Sequence, residues 1–569
     1  MSERKSIFFI LTGCLFLFIF FLSFCKIYDY DVWFHLKTGE YILRTHAVPG
    51  HDIFSHTAYG KPWIAQEWLF GVIIYLVYLA GGVAALTLYK VVLVVSVCAV
   101  LYAHLLKRRV HLYIAVPSVL LAAVFISWRL LERPELFGFL FISLYLLTLE
   151  DFRLATTGRR SLWLLPAIMV VWVNMQYTAL LGLGITGAYL TGSFFALVSG
   201  RGGTDRKGPS GFGFLLLITA VTGAAMLLNP NTYHAFTFPL SVIGEISRFA
   251  IDEFAPPDWS NHALFFISFA ASALIILLNI RRAPVAHLLI FLAFSYMALK
   301  HKRNVPLWAL AVLPFVAVYL NDLKDRLSET RAGRAGARVL SGPLPAAACV
   351  ALIVAVSYFT VGGLMRTGWW GAGIRENWLP ERSVRFIKDA GIKGNMYNSY
   401  ELGGYLLWRT YPESRVYIDG RAELYTELRR TERVLKKSDF NYVLDRNGID
   451  FAVVSYSDGN VRYFLTPGVE ARMALVFWDD VAMVYVRRTP ANAGLIERYG
   501  YDFVKPAGTS FRRTALSSMG AYMAEVQRNI RENPKGWRNH MLLANLYGLL
   551  GEDEKKEEQR RIAVRNSRL

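Results

Sequence analysis

Runs of apolar residues long enough to cross a bilayer recur through the first 362 positions of this 569-residue chain and then stop. A 20-residue helix rises roughly 30 Å, the thickness of the hydrocarbon core, so each run reads as a membrane-spanning helix. We place eleven spans, at about 7–26, 83–106, 112–130, 136–150, 162–175, 178–198, 212–229, 262–280, 284–299, 305–320 and 342–362. An apolar content of 54% excludes an ordinary soluble enzyme. The first run follows Met1–Lys5 and could mimic a signal peptide. It is long and has no small residues suited to cleavage before Tyr28, so a retained anchor is expected.

A net charge of +19 would suggest nucleic acid in a soluble protein, but here much of it follows membrane topology and no nucleic-acid partner is implied. With the N-terminus in the cytoplasm, the cytoplasmic connections carry Lys107-Arg108-Arg109, Arg153 with Arg159-Arg160, Arg201 with Arg206-Lys207, Arg281-Arg282, and Lys324 through Arg338. Each is basic, as the positive-inside bias requires. The odd count puts everything after Gly362 outside, in the periplasm if the membrane is a bacterial inner membrane. One loop breaks the rule: Lys300-His301-Lys302-Arg303 falls on the outer side. An anionic ligand at that face would account for it, as would lipid headgroups. Cys14, Cys25, Cys98 and Cys349 all lie in apolar spans and form neither a disulfide framework nor a zinc-ligand spacing.

The first external loop, Ile27 to Gly82, is long and rich in Trp, Tyr and His. Within it Glu67–Ala80 is apolar but only about 14 residues long before Gly81-Gly82, which suggests an interfacial or re-entrant helix. The loop opens with Tyr28–Glu40 (YDYDVWFHLKTGE), which sets Asp29, Asp31 and His35 beside Trp33 and Phe34 at the membrane edge. Carboxylates close to hydrocarbon are held at an electrostatic cost. Binding a cation, accepting a proton or gripping a polar substrate would each explain that cost. Asp29 and Asp31 alternate by two, so an extended segment would point both the same way. Such a pair could hold Mg²⁺ or Mn²⁺.

Beyond the spans, residues 375–490 read as a small α/β domain. A helix is expected over Pro380–Ala390, with strands at Gly394–Tyr397, Arg415–Ile418, Phe451–Ser455 and Ala482–Arg487. Gly403-Gly404 and Asp419-Gly420 punctuate it as turns. The segment Tyr417–Tyr425 clusters Asp419, Arg421 and Glu423, as either a site or a turn with a local ion pair. The tail, Ala515–Leu569, is helical, and Trp537 to Val564 resembles one tetratricopeptide repeat. It is expected to dock on the α/β domain or to recruit a protein partner. The organisation expected is a multi-span membrane domain over 1–365 (with 27–82 as first external loop), an extracytoplasmic α/β domain over 366–500 and a helical tail over 510–569. The fold class is mainly α, a polytopic helical bundle.

This architecture, with its acid-bearing first loop, resembles the GT-C superfamily of integral membrane glycosyltransferases. It looks most like large bacterial members carrying DxDxW(W/F)HLxxGxxI, PxxDxFSxT and GxPWxxxEWL. Here these are Asp29–Ile42, Pro49–Thr57 and Gly60–Leu69, with further echoes at Arg133–Phe137, Trp172-Val173-Asn174, Asn229-Pro230 and Asn398–Trp408. The chain departs from its relatives at Gln176 and at Glu135, where a His or Gln is more familiar. The resemblance implies transfer of a hexose or pentose from a polyprenyl-phosphate donor, with Asp29 and Asp31 as base or metal ligands. A base must lie within hydrogen-bond reach of the acceptor proton. Lys302 and Arg303, with Arg133 as second choice, are the candidates for the leaving phosphate. His35, Trp33, Asp52 and Glu67 are expected as substrate-binding residues, with Trp63 and Trp68 as sugar platforms or interfacial anchors. The acids and the cations are expected to face one external hollow. Competing readings are a transporter or flippase, and a non-enzymatic assembly protein recruiting partners through its external domain and tail. Few mid-span charges are seen, so the transporter ranks second.

Overall fold

The computed structural model describes residues 2–199, 208–237, 252–329, 344–375, 377–429, 440–508 and 518–567. Arg201, Arg206, Lys207, Arg331, Arg334 and Arg338 of the basic connections, and the tail from Ala515 to Ser517, lie outside them. The chain divides into two compact units, one of residues 1–27 and 66–373, the other of residues 28–65 and 374–569. The first external loop is thus split: residues 28–65 group with the C-terminal part and residues 66–82 with the apolar helices. That differs from the division at 365 expected from hydropathy.

The first unit is a polytopic membrane bundle. Its helices are α1 (Ser2–Ser23), α3 (Trp68–Lys107), α4 (Leu112–Ser127), α5 (Glu135–Arg153), α6 (Leu164–Val173), α7 (Ala179–Val198), α8 (Gly208–Ala225), α9 (Trp259–Leu278), α10 (Val285–Lys300), α11 (Val305–Ser328) and α12 (Leu344–Arg366), while α2 (Val32–Thr45) belongs to the second unit. Each expected span coincides with one of these eleven. Six among the described residues are long and apolar enough to cross a membrane, and α4, α10 and the 211–225 part of α8 are shorter apolar helices. Helix α3 has 40 residues, too long for one straight span, and it breaks where the sequence punctuates it. Gly82 takes φ +59, a left-handed conformation that a side chain would strain. The 14-residue apolar segment is therefore the first arm of α3. At the centre lies α11, buried along nearly its whole run from Val305 to Ala317. It packs against α4, α5, α9 and α10. A helix apolar on all sides is satisfied either by neighbours or by lipid, and here α11 takes the former and α12 largely the latter.

The second unit holds a four-stranded sheet of β1 (Met396–Asn398), β2 (Phe451–Ser455), β3 (Met473–Trp478) and β4 (Ala482–Arg487), in the order β1-β2-β4-β3. β1 runs parallel to β2, and the other pairs are antiparallel. Every residue of β2 is buried, as expected of a central strand read from a continuous apolar run. The expected strand at Arg415–Ile418 is not regular. Val416 makes one isolated parallel bridge, to Ser55 of the first loop, because its partner is a short loop rather than a strand of the sheet. Strand β3, which the sequence reading passed over, pairs with β4 instead.

Helix α13 (Glu381–Asp389) covers one edge of the sheet through Phe386, stacked 4.9 Å from Phe477. Helix α14 (Gly403–Thr410) packs on α2, with Trp33 edge-on to Tyr405 at 4.9 Å. The tail forms three helices, Met519–Glu532, Trp537–Leu549 and Asp553–Ser567, and it docks on the α/β domain. Asn529 Nδ2 donates to Trp478 O at 2.9 Å, and Asp480 accepts the N–H groups of Trp537 and Arg538 at 3.1 and 2.9 Å. A carboxylate at a helix N-terminus neutralises exposed donors and favours the dipole. Asp480→Ala is expected to lower the stability of the docked tail by about 1–2 kcal/mol. Limited proteolysis of full-length protein checks this: faster release of the tail is expected, and an unchanged cleavage rate would show that the contact contributes little.

Candidate functional site

Two clusters of polar groups stand out, one in each unit. In the membrane unit, the connection between α4 and α5 brings Arg129, Arg133 and Glu135 together. Arg129 forks onto Glu135 through Nε and Nη2 at 3.0 and 2.8 Å. Its other terminal nitrogen lies 2.9 Å from Glu253, which also meets Arg133 at 3.6 Å. Arg303 lies 4.0 Å from Glu135, donates to the Tyr177 hydroxyl at 3.4 Å and covers the Phe254 ring at 4.7 Å. Burial would push the Glu253 carboxyl up, but Arg129, Arg133 and Arg303 outweigh it and hold it at about 2. Among the described residues, three guanidinium groups thus gather on Glu135 and Glu253. The structure brings the expected Arg133 and Arg303 together around Glu253, an acid that sequence reasoning did not single out. Its one signal is its place in the Asp252–Phe254 turn, just before α9.

Glu132, beside Arg133 in sequence, has a cation partner on another helix. It pairs with Lys90 of α3 at 2.5 Å, both fully buried, and Lys90 also donates to Cys25 O at 2.9 Å. The connection carrying Arg129 and Arg133 is thereby pinned to two other segments. Trp68 Nε1 donates to Asn174 Oδ1 at 2.8 Å, and Asn174 Nδ2 donates to Leu228 O at 2.8 Å. The EWL, WVN and NP echoes, far apart in sequence, therefore converge. Glu67 is the residue just before α3.

In the second unit, Tyr28–Asp31 forms a bend rather than an extended strand. Asp31 takes helical angles (φ −84, ψ −23) at the head of α2, and its N–H donates to Asp29 Oδ1 at 3.3 Å. Asp29 is buried, whereas Asp31 is half-buried and its side chain makes no capping bond to α2. The bend is gripped from the C-terminal side. Trp378 stacks on Tyr30 at 5.3 Å and donates to Tyr28 O at 2.9 Å. Two glycines allow the closest approaches: a Cβ on Gly404 would sit 2.5 Å from Tyr30 O, and one on Gly420 would sit 2.1 Å from Asp31 Oδ1. Trp33 and His35 are buried in α2, at 2% and 3% exposure, so they support the bend from within.

Asp52 and the Tyr417–Tyr425 segment meet in one buried ion cluster. Arg421 donates to Asp52 Oδ1 at 2.6 Å and to both oxygens of Asp419 at 2.8 and 2.6 Å. The Phe54 and Trp63 rings flank the guanidinium at 5.2 and 4.6 Å. Burial would raise the Asp52 carboxyl, yet Arg421 beside it, with hydrogen bonds from Ser55 and Phe54, holds it below the usual range. Asp52 and Trp63 therefore serve the interior and do not wall an open pocket. Among the described residues no three His, Cys, Asp or Glu side chains are grouped to hold a metal ion. Asp29 and Asp31 offer carboxylate oxygens within one bend, a donor set that fits Mg²⁺ or Mn²⁺ only where substrate oxygens complete the shell.

No protein-family model and no curated protein matches the sequence. Solved structures do. The archaeal oligosaccharyltransferase AglB from Archaeoglobus fulgidus, in complex with an inhibitory peptide and a dolichol-phosphate, matches with a TM-score of 0.56 at 12% identity, over 97% of this chain and 86% of that one. The apo form of the Archaeoglobus fulgidus oligosaccharyltransferase matches with 0.55 at 11% identity, over 85% and 75%. Its form tethered to an acceptor peptide containing the NVT sequon gives 0.52 at 12%, over 84% and 74%. These likenesses show the fold, which this chain shares with the archaeal oligosaccharyltransferases.

Arg421→Ala would leave two carboxylates buried without their cation, and it is expected to cost the second unit about 3–5 kcal/mol. Arg421→Lys is expected to recover only part of this, since Lys cannot fork between two acids. Thermal melting of both variants checks the order. The depressed Asp52 contributes stability that is complete above its ordinary 3.8 and is lost as pH falls below it. Asp52→Asn is expected to lower stability at pH 7 and to flatten the loss below about pH 4. Acid titrations of wild type and variant that run parallel would contradict the assignment.

Proposed function

We propose that this multi-pass membrane protein is a glycosyltransferase that moves a sugar from a polyprenyl-phosphate carrier to an acceptor at the external face. One observation carries the reading: the half-buried Asp31 carboxylate is seated against Gly420 at the head of α2. A carboxylate so placed can take the proton of an acceptor hydroxyl or amide as it attacks the sugar carbon. Buried Asp29, bonded to the Asp31 N–H, fixes the bend and so the direction of Asp31.

The departing phosphate needs cations that are already in place. Arg133 and Arg303, gathered with Arg129 around Glu135 and Glu253 and each partly exposed, offer that grip, with Lys302 next in sequence. An Arg fork matches phosphate oxygens in a way that a Lys ammonium does not. The dolichol-phosphate held by the AglB complex supports a lipid phosphate as ligand class. When bound by Asp29 and Asp31, a divalent ion would supply charge neutralisation at the phosphate. A hexose or pentose is the expected cargo.

Asp31→Asn is expected to lower transfer from a polyprenyl-phosphate sugar by about 100-fold or more, with melting temperature unchanged. Full activity in that variant would remove Asp31 from the mechanism. Arg303→Lys is expected to raise KM for the donor more than it lowers kcat. Chelation by EDTA followed by Mg²⁺ or Mn²⁺ titration separates the two roles of the acids. Activity that survives chelation but not Asp31→Asn assigns the base alone.

A further inference from the structure

The membrane unit has a second polar feature at the far end of its helices from the Arg129–Arg303 cluster. A crevice of about 210 Å³ opens between α5, α7, α8 and the turn joining α9 to α10. Helix α5 begins at Glu135, in the arginine cluster, and ends at Arg153, in the crevice. Its 19 residues put roughly 28 Å between the two ends. Helix α10 runs the opposite way, from Val285 in the crevice to Lys300 just before Arg303.

The lining has two characters. Leu149, Phe152, Phe195 and Leu215 form an apolar wall, while among the described residues the charged lining ones are both arginines, Arg153 and Arg281. Outer faces nearby remain apolar, with Phe195 and Leu278 more than half exposed, as lipid-facing residues are. The crevice therefore sits where helix ends meet hydrocarbon, and its electrostatics select an anion attached to an apolar chain.

Arg153 is held in one orientation. It donates to both oxygens of Glu150, at 2.9 and 2.6 Å. Glu150 also accepts from the Tyr189 hydroxyl at 3.1 Å and lies 3.1 Å from His287 Nε2, and His287 Nδ1 lies 2.6 Å from the Tyr319 hydroxyl. A buried carboxylate network among membrane helices is costly and wants a reason. Presenting one guanidinium rigidly at the crevice supplies one, and nothing in the sugar-transfer reading uses these residues. The wall itself is set by close packing, since a Cβ on Gly192 of α7 would lie 2.9 Å from Ala286 N of α10. Arg281, exposed on the turn, completes the cationic side.

We propose that this crevice binds the phosphate-bearing head group of an anionic bilayer phospholipid between Arg153 and Arg281, with an acyl chain lying along Phe195 and Leu215. The proposal does not depend on sugar transfer.

The test uses the full chain, delipidated in detergent and titrated with phosphatidylglycerol, phosphatidylcholine and undecaprenyl phosphate, with bound lipid counted by native mass spectrometry. Phosphatidylglycerol is expected to bind about tenfold more tightly than phosphatidylcholine, and Arg281→Ala to remove most of that preference. Arg282→Ala, one position on and outside the lining, is expected to leave it intact. Equal binding of the two phospholipids, or equal effects of the two variants, would overturn the site. Undecaprenyl phosphate outcompeting phosphatidylglycerol, with the same dependence on Arg281, would overturn the bilayer lipid in favour of a carrier lipid.

Discussion

A single guanidinium organises the second unit. Arg421, fully buried, joins Asp52 of the first loop to Asp419 of the turn 369 and 2 positions away from it respectively. Burying three charges is unfavourable unless each is answered, and here the Tyr425 hydroxyl and Ser55 share the remaining negative charge. The consequence reaches the acids that open the first loop. Holding Asp419 fixes Gly420, and Gly420 is the residue whose lack of a side chain lets the backbone lie against Asp31. The fixed turn, the Gly403-Gly404 pair and the Trp378 clamp together decide where the Asp29–Asp31 bend sits.

The membrane unit answers its charges in the same way but shares them differently. Lys90 and Glu132 form a fully buried pair, and they act as a pin between α3, the end of α1 and the α4–α5 connection. Next to Glu132 in sequence, Arg133 belongs to the cluster of arginines that meets at Glu253. A neutral pair is what a low-dielectric interior tolerates for structure. Arg133 and Arg303, at the ends of helices, keep part of their side chains exposed, whereas Lys90 is wholly buried within α3. The need for a partner in the interior also explains why the WVN and EWL echoes are polar islands in apolar sequence: Asn174 answers Trp68 and Leu228 O across three segments.

Much of the secondary structure was legible along the chain. The eleven apolar runs, the break at Gly81-Gly82, the α13 helix and the strands at 451–455 and 482–487 each follow from local hydropathy, spacing or a glycine. The tail docks because its amphipathic helices carry Asn529 and leave their donors for Asp480. Reading failed where a segment's state depends on what lies beside it. Arg415–Ile418 has strand composition but meets a loop through Val416 alone, and β3 is a strand because β4 is there to pair with it. Asp29 and Asp31 alternate like strand residues, yet the head of α2 draws Asp31 into a helical conformation.

The sequence by itself determined that this is a membrane-spanning chain with acids at the edge of its first loop, because apolar content and spacing act locally and need no partner. Only the tertiary structure decided which charge answers which: that Asp52 is an interior ion-pair partner, that Glu253 draws Arg133 and Arg303 together, and that residues 28–65 belong with the C-terminal sheet. A charge selects its counter-charge by approach in space. Here the partners stand up to 369 positions apart, beyond anything that local pattern encodes.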